Sequence, residues 1–187
     1  MKIAILGGRF DPPHMGHCQI AQQVLEARPD IDRLIFIPAY KHPWREIVAS
    51  PEDRIAMLRT SLPERAEVWD TEIKHKIERT IDSLKLLKEK LDADLYWVVG
   101  SDILPEFHRW KGFEKLTELA TFLVFPRSGY PLPEKLPKGF EKIDSPSLLI
   151  SDFSSTAIRD LVKNKRPIKH FVPPGVEKYI IENNLYE

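Results

Sequence analysis

The chain has 187 residues, 42% hydrophobic and 30% charged, with 28 Lys plus Arg against 28 Asp plus Glu. That length buries a core without disulfide staples, and the even charge balance excludes a general nucleic-acid coat, which would be basic overall, while still allowing a local basic pocket. The single cysteine, Cys18, cannot form an internal disulfide, the apolar start is too short for a signal peptide, and no run approaches the ~20 apolar residues of a membrane span. The expected setting is therefore the cytoplasm, without nucleic acid or membrane as partners.

In chain order, the pattern alternates short apolar runs with helical periodicity. A strand over 2–6 runs into the glycine-bearing segment Gly7-Gly8-Arg9-Phe10-Asp11-Pro12-Pro13-His14-Met15-Gly16-His17, and a helix follows over 16–27. A second strand is expected over 33–38. The next helix, over 51–61, has Ser50 as N-cap and Pro51 at its first position. A strand over 67–70 precedes a helix over 81–90 that Thr80 can cap. A strand over 94–99, a short helix over 113–120 and a strand over 121–125 come next. The Pro-rich stretch 126–146 reads as an irregular excursion, followed by a sixth strand over 147–150. Helices over 155–164 and 175–183, joined by a loop over 165–174, end the chain. This alternation predicts an α/β fold, a Rossmann-like parallel sheet flanked by helices with a small C-terminal helical extension. It reads as one domain over 1–187, with 154–187 as its C-terminal helical part. There is no internal repeat.

In an open parallel sheet, ligands sit beyond the carboxyl ends of the strands, so the 7–17 segment falls where chemistry is expected. Glycines there let the backbone approach a phosphate, and the following helix offers N–H groups to an anion. His14 and His17, three apart, face one way and can donate to phosphate oxygens. Zinc ligation is the competing use of two histidines, but a third ligand is not evident and no metal site is expected. Ser154, Ser155 and Thr156 form a hydroxyl-rich helix start, and Arg159, about one turn on, can reach the same anion with its planar fork. The plainer reading of that segment is a serine N-cap with a solvated arginine.

Together the two segments, Gly-Gly-x-Phe-Asp-Pro-x-His-x-Gly-His and Ser-Ser-Thr-x-Ile-Arg, resemble the nucleotidylyltransferase superfamily and, more narrowly, the bacterial nicotinate-nucleotide adenylyltransferases. Val98-Val99-Gly100-Ser101-Asp102, Phe107-His108-Arg109-Trp110, Arg127-Ser128-Gly129-Tyr130-Pro131 and the tail with Val172-Pro173-Pro174-Gly175-Val176 and Leu185-Tyr186 extend the likeness over nearly the whole chain. The resemblance implies that ATP lies across the first loop, with Gly7, Gly8, Arg9, Phe10, Asp11, Gly100 and Asp102 around it. It implies that His14, His17 and Arg159 are catalytic and that Ser154, Ser155 and Thr156 clamp pyrophosphate. It assigns Trp110 to stacking on a pyridine ring, Thr80 to a nicotinate carboxylate, and Lys41 and Arg127 to acceptor binding. A flat ring suits an aromatic partner, and a carboxylate suits a helix start.

The implied partners are ATP and a pyridine mononucleotide, with Mg2+ accompanying ATP. The reaction moves AMP from ATP to nicotinate mononucleotide and releases pyrophosphate. Arg9 departs from the Thr or Ser usual in the family, and Lys41-His42-Pro43-Trp44-Arg45 departs from its usual segment. Nicotinamide mononucleotide therefore remains an alternative acceptor. Transfer to phosphopantetheine, a cytidylyl transfer, and a non-catalytic nucleotide sensor are the other readings. Oligomeric state is not legible in the sequence.

Overall fold

The computed structural model describes residues 1–42 and 45–187. Six strands form one sheet, β1 (Lys2–Gly8), β2 (Arg33–Pro38), β3 (Ala66–Val68), β4 (Asp94–Gly100), β5 (Thr121–Phe125) and β6 (Phe140–Lys142). Their order is β3-β2-β1-β4-β5-β6, and every pairing is parallel. Helices α1 (Met15–Ala27), α2 (Pro51–Arg59), α3 (Thr71–His75), α4 (Thr80–Lys90) and α5 (Phe113–Leu119) lie along the connections. A 3₁₀ segment, Ser101–Arg109, follows β4, and α6 (Ser155–Lys163) and α7 (Pro174–Glu182) close the chain. The Rossmann-like parallel architecture expected from the alternating pattern is the one observed.

The period-2 geometry of a strand divides β1 between two cores. Ile3 and Ile5 join Trp97, Leu84, Phe107 and Phe122 on one face. Ala4 and Leu6 join Val24, Leu34, Phe36 and Phe125 on the other. Buried on both sides, the strand is apolar from Ile3 to Leu6, where it reaches Gly7 and Gly8. A third cluster, Met57, Ile158, Ile168, Val172, Val176 and Ile180, packs the C-terminal helices onto α2. The sequence order changes direction between β1 and β4, which is where such sheets open a crevice for ligands.

Two strand expectations are corrected. The third strand ends at Val68, and Asp70 instead takes the N-cap position of α3, a helix the sequence reading lacked. The sixth strand is Phe140–Lys142, inside the stretch read as irregular, and residues 147–150 are not a strand. Phe140 earns that place by packing against Phe107 and Phe122, with ring centroids 4.8 and 5.2 Å away. Leu149 and Ile150 are instead exposed, and the Leu149 backbone pairs with the Gln23 side chain of α1. Thr80 is also not a cap: Arg79 takes the N-cap position and Thr80 is the first helical residue.

Candidate active site

β1 delivers its glycines to the carboxyl edge of the sheet. Gly7 has no room for a side chain, because a Cβ there would stand 2.6 Å from Cζ2 of buried Trp97. Phe10 follows with φ of 50° and is buried, edge-on to His17 at 4.9 Å and to Phe36 at 5.5 Å. It supports the histidine from below. The rings of His14 and His17 stack 3.7 Å apart. The His14 backbone N–H donates to His17 Nδ1 at 3.2 Å, which leaves the proton of a neutral His17 on Nε2.

Burial holds both imidazoles neutral. His14 is pushed down to about 4 by burial first and by Arg127 second. His17 lies well below its ordinary value, again from burial first, then from His14, Arg127 and Arg9. The same cations repel one another. Burial lowers Arg9, followed by repulsion from Arg45 and Arg159. Burial also lowers His42, followed by Arg9 and Arg45. Such a concentration of positive charge, held against its own repulsion, favours an anion.

α6 closes this site. Ser154 is its N-cap and accepts from the Ala157 N–H at 3.1 Å. The Ser155 hydroxyl donates to the Pro12 carbonyl at 2.9 Å, and Arg159 Nη1 donates to the Asp11 carbonyl at 2.6 Å. These two bonds span more than 140 residues of sequence and bring the two motifs into one place. Thr156 is exposed, and Arg159 Nη2 donates to its hydroxyl at 3.4 Å. Gly100 and Asp102 lie across from them at the end of β4. A Cβ at Gly100 would collide with the Asp102 carboxylate and with Arg127, whose Nε is 3.9 Å from Asp102 Oδ1.

A cleft of about 470 Å³ opens beside the glycine loop. Gly7, Gly8, Arg9, Lys41, Thr80 and Trp110 line it, as do five charged residues that the sequence reading did not assign to the site: Glu72, Glu78, Arg79, Arg109 and Lys111. Arg109 and Lys111 flank Trp110, so the aromatic was the signal for both. Glu72 gave no signal, because only folding buries it. Its Oε1 accepts from the Ser83 hydroxyl at 2.6 Å, and burial raises its carboxyl to about 7. Lys41 pairs with Glu78 at 3.0 Å across the cleft mouth. Pro43 and Trp44 of the basic segment lie outside the described residues. A second, largely apolar cavity of about 310 Å³ runs beside α6 between Phe153, Ile158, Leu161 and Phe171.

Two sequence assignments land elsewhere. Arg127 stands with the histidines and Asp102 and is not among the residues that line the 470 Å³ cleft. Asp11 is fully buried, and its carboxylate is occupied by protein donors: the N–H groups of Val48 and Ala49, at 2.7 and 3.0 Å, and the Tyr186 hydroxyl, at 2.8 Å.

A parallel sheet with a glycine–histidine loop after its first strand, faced by a hydroxyl- and Arg-bearing helix start, defines a nucleotide-handling α/β protein of the nucleotidylyltransferase class. The chain belongs to the cytidylyltransferase-like family, whose model matches residues 5–161. It is 37% identical over its full length to a protein of Opitutus terrae, covering 98% of that protein, and 39% identical to one of Nitratiruptor, with 97% of each chain covered. Both relatives are named probable nicotinate-nucleotide adenylyltransferase. Its fold is similar to that of Plasmodium falciparum nicotinic acid mononucleotide adenylyltransferase complexed with NaAD, with a TM-score of 0.82 and 24% identity over 99% of this chain and 97% of that one. Among the described residues no helix is long and apolar enough to cross a membrane.

Proposed function

We propose that this protein is a nicotinate-nucleotide adenylyltransferase, which transfers AMP from ATP to nicotinate mononucleotide and releases pyrophosphate. The observation that carries the reading is the meeting of two unlike subsites across Gly8 and Arg9. On one side His14, His17, Arg127 and Arg159 crowd together as an anion site. On the other is the cleft holding Trp110 and the start of α4. A triphosphate fits the first and a pyridine mononucleotide the second. The apolar cavity beside α6 suits the adenine base.

The acceptor's phosphate oxygen attacks the α-phosphorus, and pyrophosphate leaves in line. A phosphate monoester is largely ionised near neutral pH, so no side chain has to remove a proton. Catalysis is then positioning together with charge stabilisation. His17 offers its Nε2–H, and both buried imidazoles gain affinity for a proton when a phosphate arrives beside them. Arg159, Thr156 and the exposed start of α6 hold the leaving pyrophosphate. Arg127 belongs with this phosphate group rather than with the acceptor. Asp11 acts by shaping the loop. Among the described residues there is no group of three or more His, Cys, Asp or Glu side chains that could hold a metal ion. Magnesium would come with ATP as part of the substrate and would supply charge neutralisation to its phosphates beside Arg159 and the start of α6. Residues 154–187 complete the ATP site, which supports reading the chain as one domain.

The pyridine carboxylate is read by the start of α4, which has no side-chain cap, with Arg79, Arg109 and Lys111 nearby in the cleft lining. A carboxamide would turn an NH₂ toward N–H donors, a mismatch of about 1–3 kcal/mol, so the acid is preferred roughly ten- to a hundredfold. Pyrophosphate release from ATP is the test, measured with nicotinate mononucleotide, with nicotinamide mononucleotide, with phosphopantetheine, and with no acceptor. Release that does not depend on a pyridine mononucleotide would overturn the proposal, and equal kcat/KM for acid and amide would overturn the role of the α4 start.

A further inference from the structure

A contact made by Tyr186 falls on the loop that carries the candidate chemistry. Tyr186 donates its hydroxyl to Asp11 Oδ1 at 2.8 Å, 175 residues away. Asp11 is 0% exposed and lies three residues before His14. Its two oxygens also accept from Val48 and Ala49, the residues just before the Ser50 cap of α2. One buried carboxylate thus joins the histidine loop, the entry to α2 and the C-terminus. Around it, Arg54 of α2, 1% exposed, donates to the Arg9 carbonyl at 2.8 Å, and Arg159 donates to the carbonyl of Asp11 itself.

We propose that Tyr186 is a positioning residue for the adenylyl-transfer site, holding Asp11, and through it the 8–17 loop, in the geometry that presents His14 and His17 to the triphosphate. The proposal rests on the adenylyltransferase reading above. Three features of the contact support it. The hydroxyl stays protonated, since burial and the neighbouring Asp11 carboxylate both push Tyr186 up, so it donates at any pH the protein meets. The acceptor is charged and buried, which makes the bond of the stronger class. And the tail is anchored: Leu185 and Tyr186 pack on the cluster formed by α2, α6 and α7, and the Leu185 N–H donates to the Ile180 carbonyl at 3.1 Å. The tail therefore has a defined position from which to hold the loop. The acceptor cleft shares Gly8 and Arg9 with that loop, but its wall of Thr80, Ile81 and the Arg109–Lys111 segment comes from other parts of the chain.

The test compares Tyr186→Phe with Tyr179→Phe. Tyr179 makes a bond of the same kind from the same end of the chain, its hydroxyl donating to Asp53 Oδ1 at 2.9 Å, but away from Asp11. Tyr186→Phe is expected to lower kcat roughly ten- to a hundredfold, the range that follows from a small misplacement of reacting groups, with the KM for nicotinate mononucleotide unchanged. Tyr179→Phe is expected to keep wild-type kcat with a smaller loss of thermal stability, because Asp53 is partly exposed where Asp11 is fully buried. Equal kcat for the Tyr186→Phe and wild-type enzymes would overturn the proposal, as would equal falls in the two variants. Calorimetric titration with Mg–ATP alone, without acceptor, separates the two readings. Wild-type protein that binds ATP but transfers to no pyridine mononucleotide refutes the function. Wild-type protein that transfers normally while Tyr186→Phe matches it refutes the positioning role. Should Tyr186→Phe fold poorly, hydrogen exchange on the wild type decides: ATP is expected to slow exchange of the Val48 and Ala49 amides bonded to Asp11, and unchanged exchange overturns the proposal.

Discussion

Replacing Glu72 with Gln isolates the effect of one buried carboxyl. In the folded protein burial raises that carboxyl from an ordinary 4.5 to about 7, partly opposed by the Ser83 hydroxyl, the Tyr40 backbone and the charge of Arg54. A carboxyl whose pKa is raised on folding stabilises the native state fully at pH below its unfolded value. That contribution is lost as pH rises through the folded value, because the unfolded chain then releases the proton more readily. At about 1.4 kcal/mol per pH unit, the displacement amounts to ~3 kcal/mol, most of it between about pH 5 and about pH 8. Gln has nearly the same shape, never ionises and can still accept the Ser83 hydroxyl. Urea unfolding of both proteins across that range is the assay. The buried histidines respond in the opposite direction, destabilising the fold in acid, because His14 is neutral down to about 4 in the folded state. They are common to both proteins and cancel in the difference. Glu72→Gln is expected to gain ~3 kcal/mol on wild type as pH rises. A difference that stays flat across the range would refute the view that Glu72 is buried as a neutral acid on the wall of the acceptor cleft.

Three further outcomes follow from the same geometry. His17→Ala should lower kcat by ~10²–10³, the usual effect of losing one preorganised donor, with an unchanged circular dichroism spectrum; near-normal turnover would remove His17 from the chemistry. Gly7→Ala forces a Cβ to within 2.6 Å of the Trp97 ring and should destabilise the fold by about 1–3 kcal/mol through overpacking, which denaturant unfolding would read directly. Trp110→Ala should raise the KM of the acceptor by roughly three- to tenfold, matching the ~0.5–1.5 kcal/mol of an aromatic stack, while the KM for ATP holds; a shift in the ATP parameter instead would move Trp110 out of the pyridine site.

Much of this protein was legible in its residues alone. Strands buried on both faces must be apolar through most of their length, so the apolar runs within 2–6, 33–38, 94–99 and 121–125 announced a parallel sheet. The glycines after the first strand and the hydroxyls before Arg159 carry their chemistry in their local geometry, since a helix start binds anions whatever lies around it. What the sequence could not supply was anything defined by contacts between distant segments. Phe140 became a strand residue because an aromatic cluster received it, while the equally apolar Leu149 and Ile150 stayed on the surface, Leu149 held by its backbone to the Gln23 side chain. Arg127 was placed by the end of β5 beside the histidines, and Glu72 of α3 was buried where its carboxyl accepts from the Ser83 hydroxyl of α4. Asp11 read as a ligand of ATP because it lies in the glycine–histidine segment expected to bind it. Only the tertiary structure brings Val48, Ala49 and Tyr186 onto its two oxygens, and a carboxylate so fully occupied by protein donors holds the site together rather than binding in it.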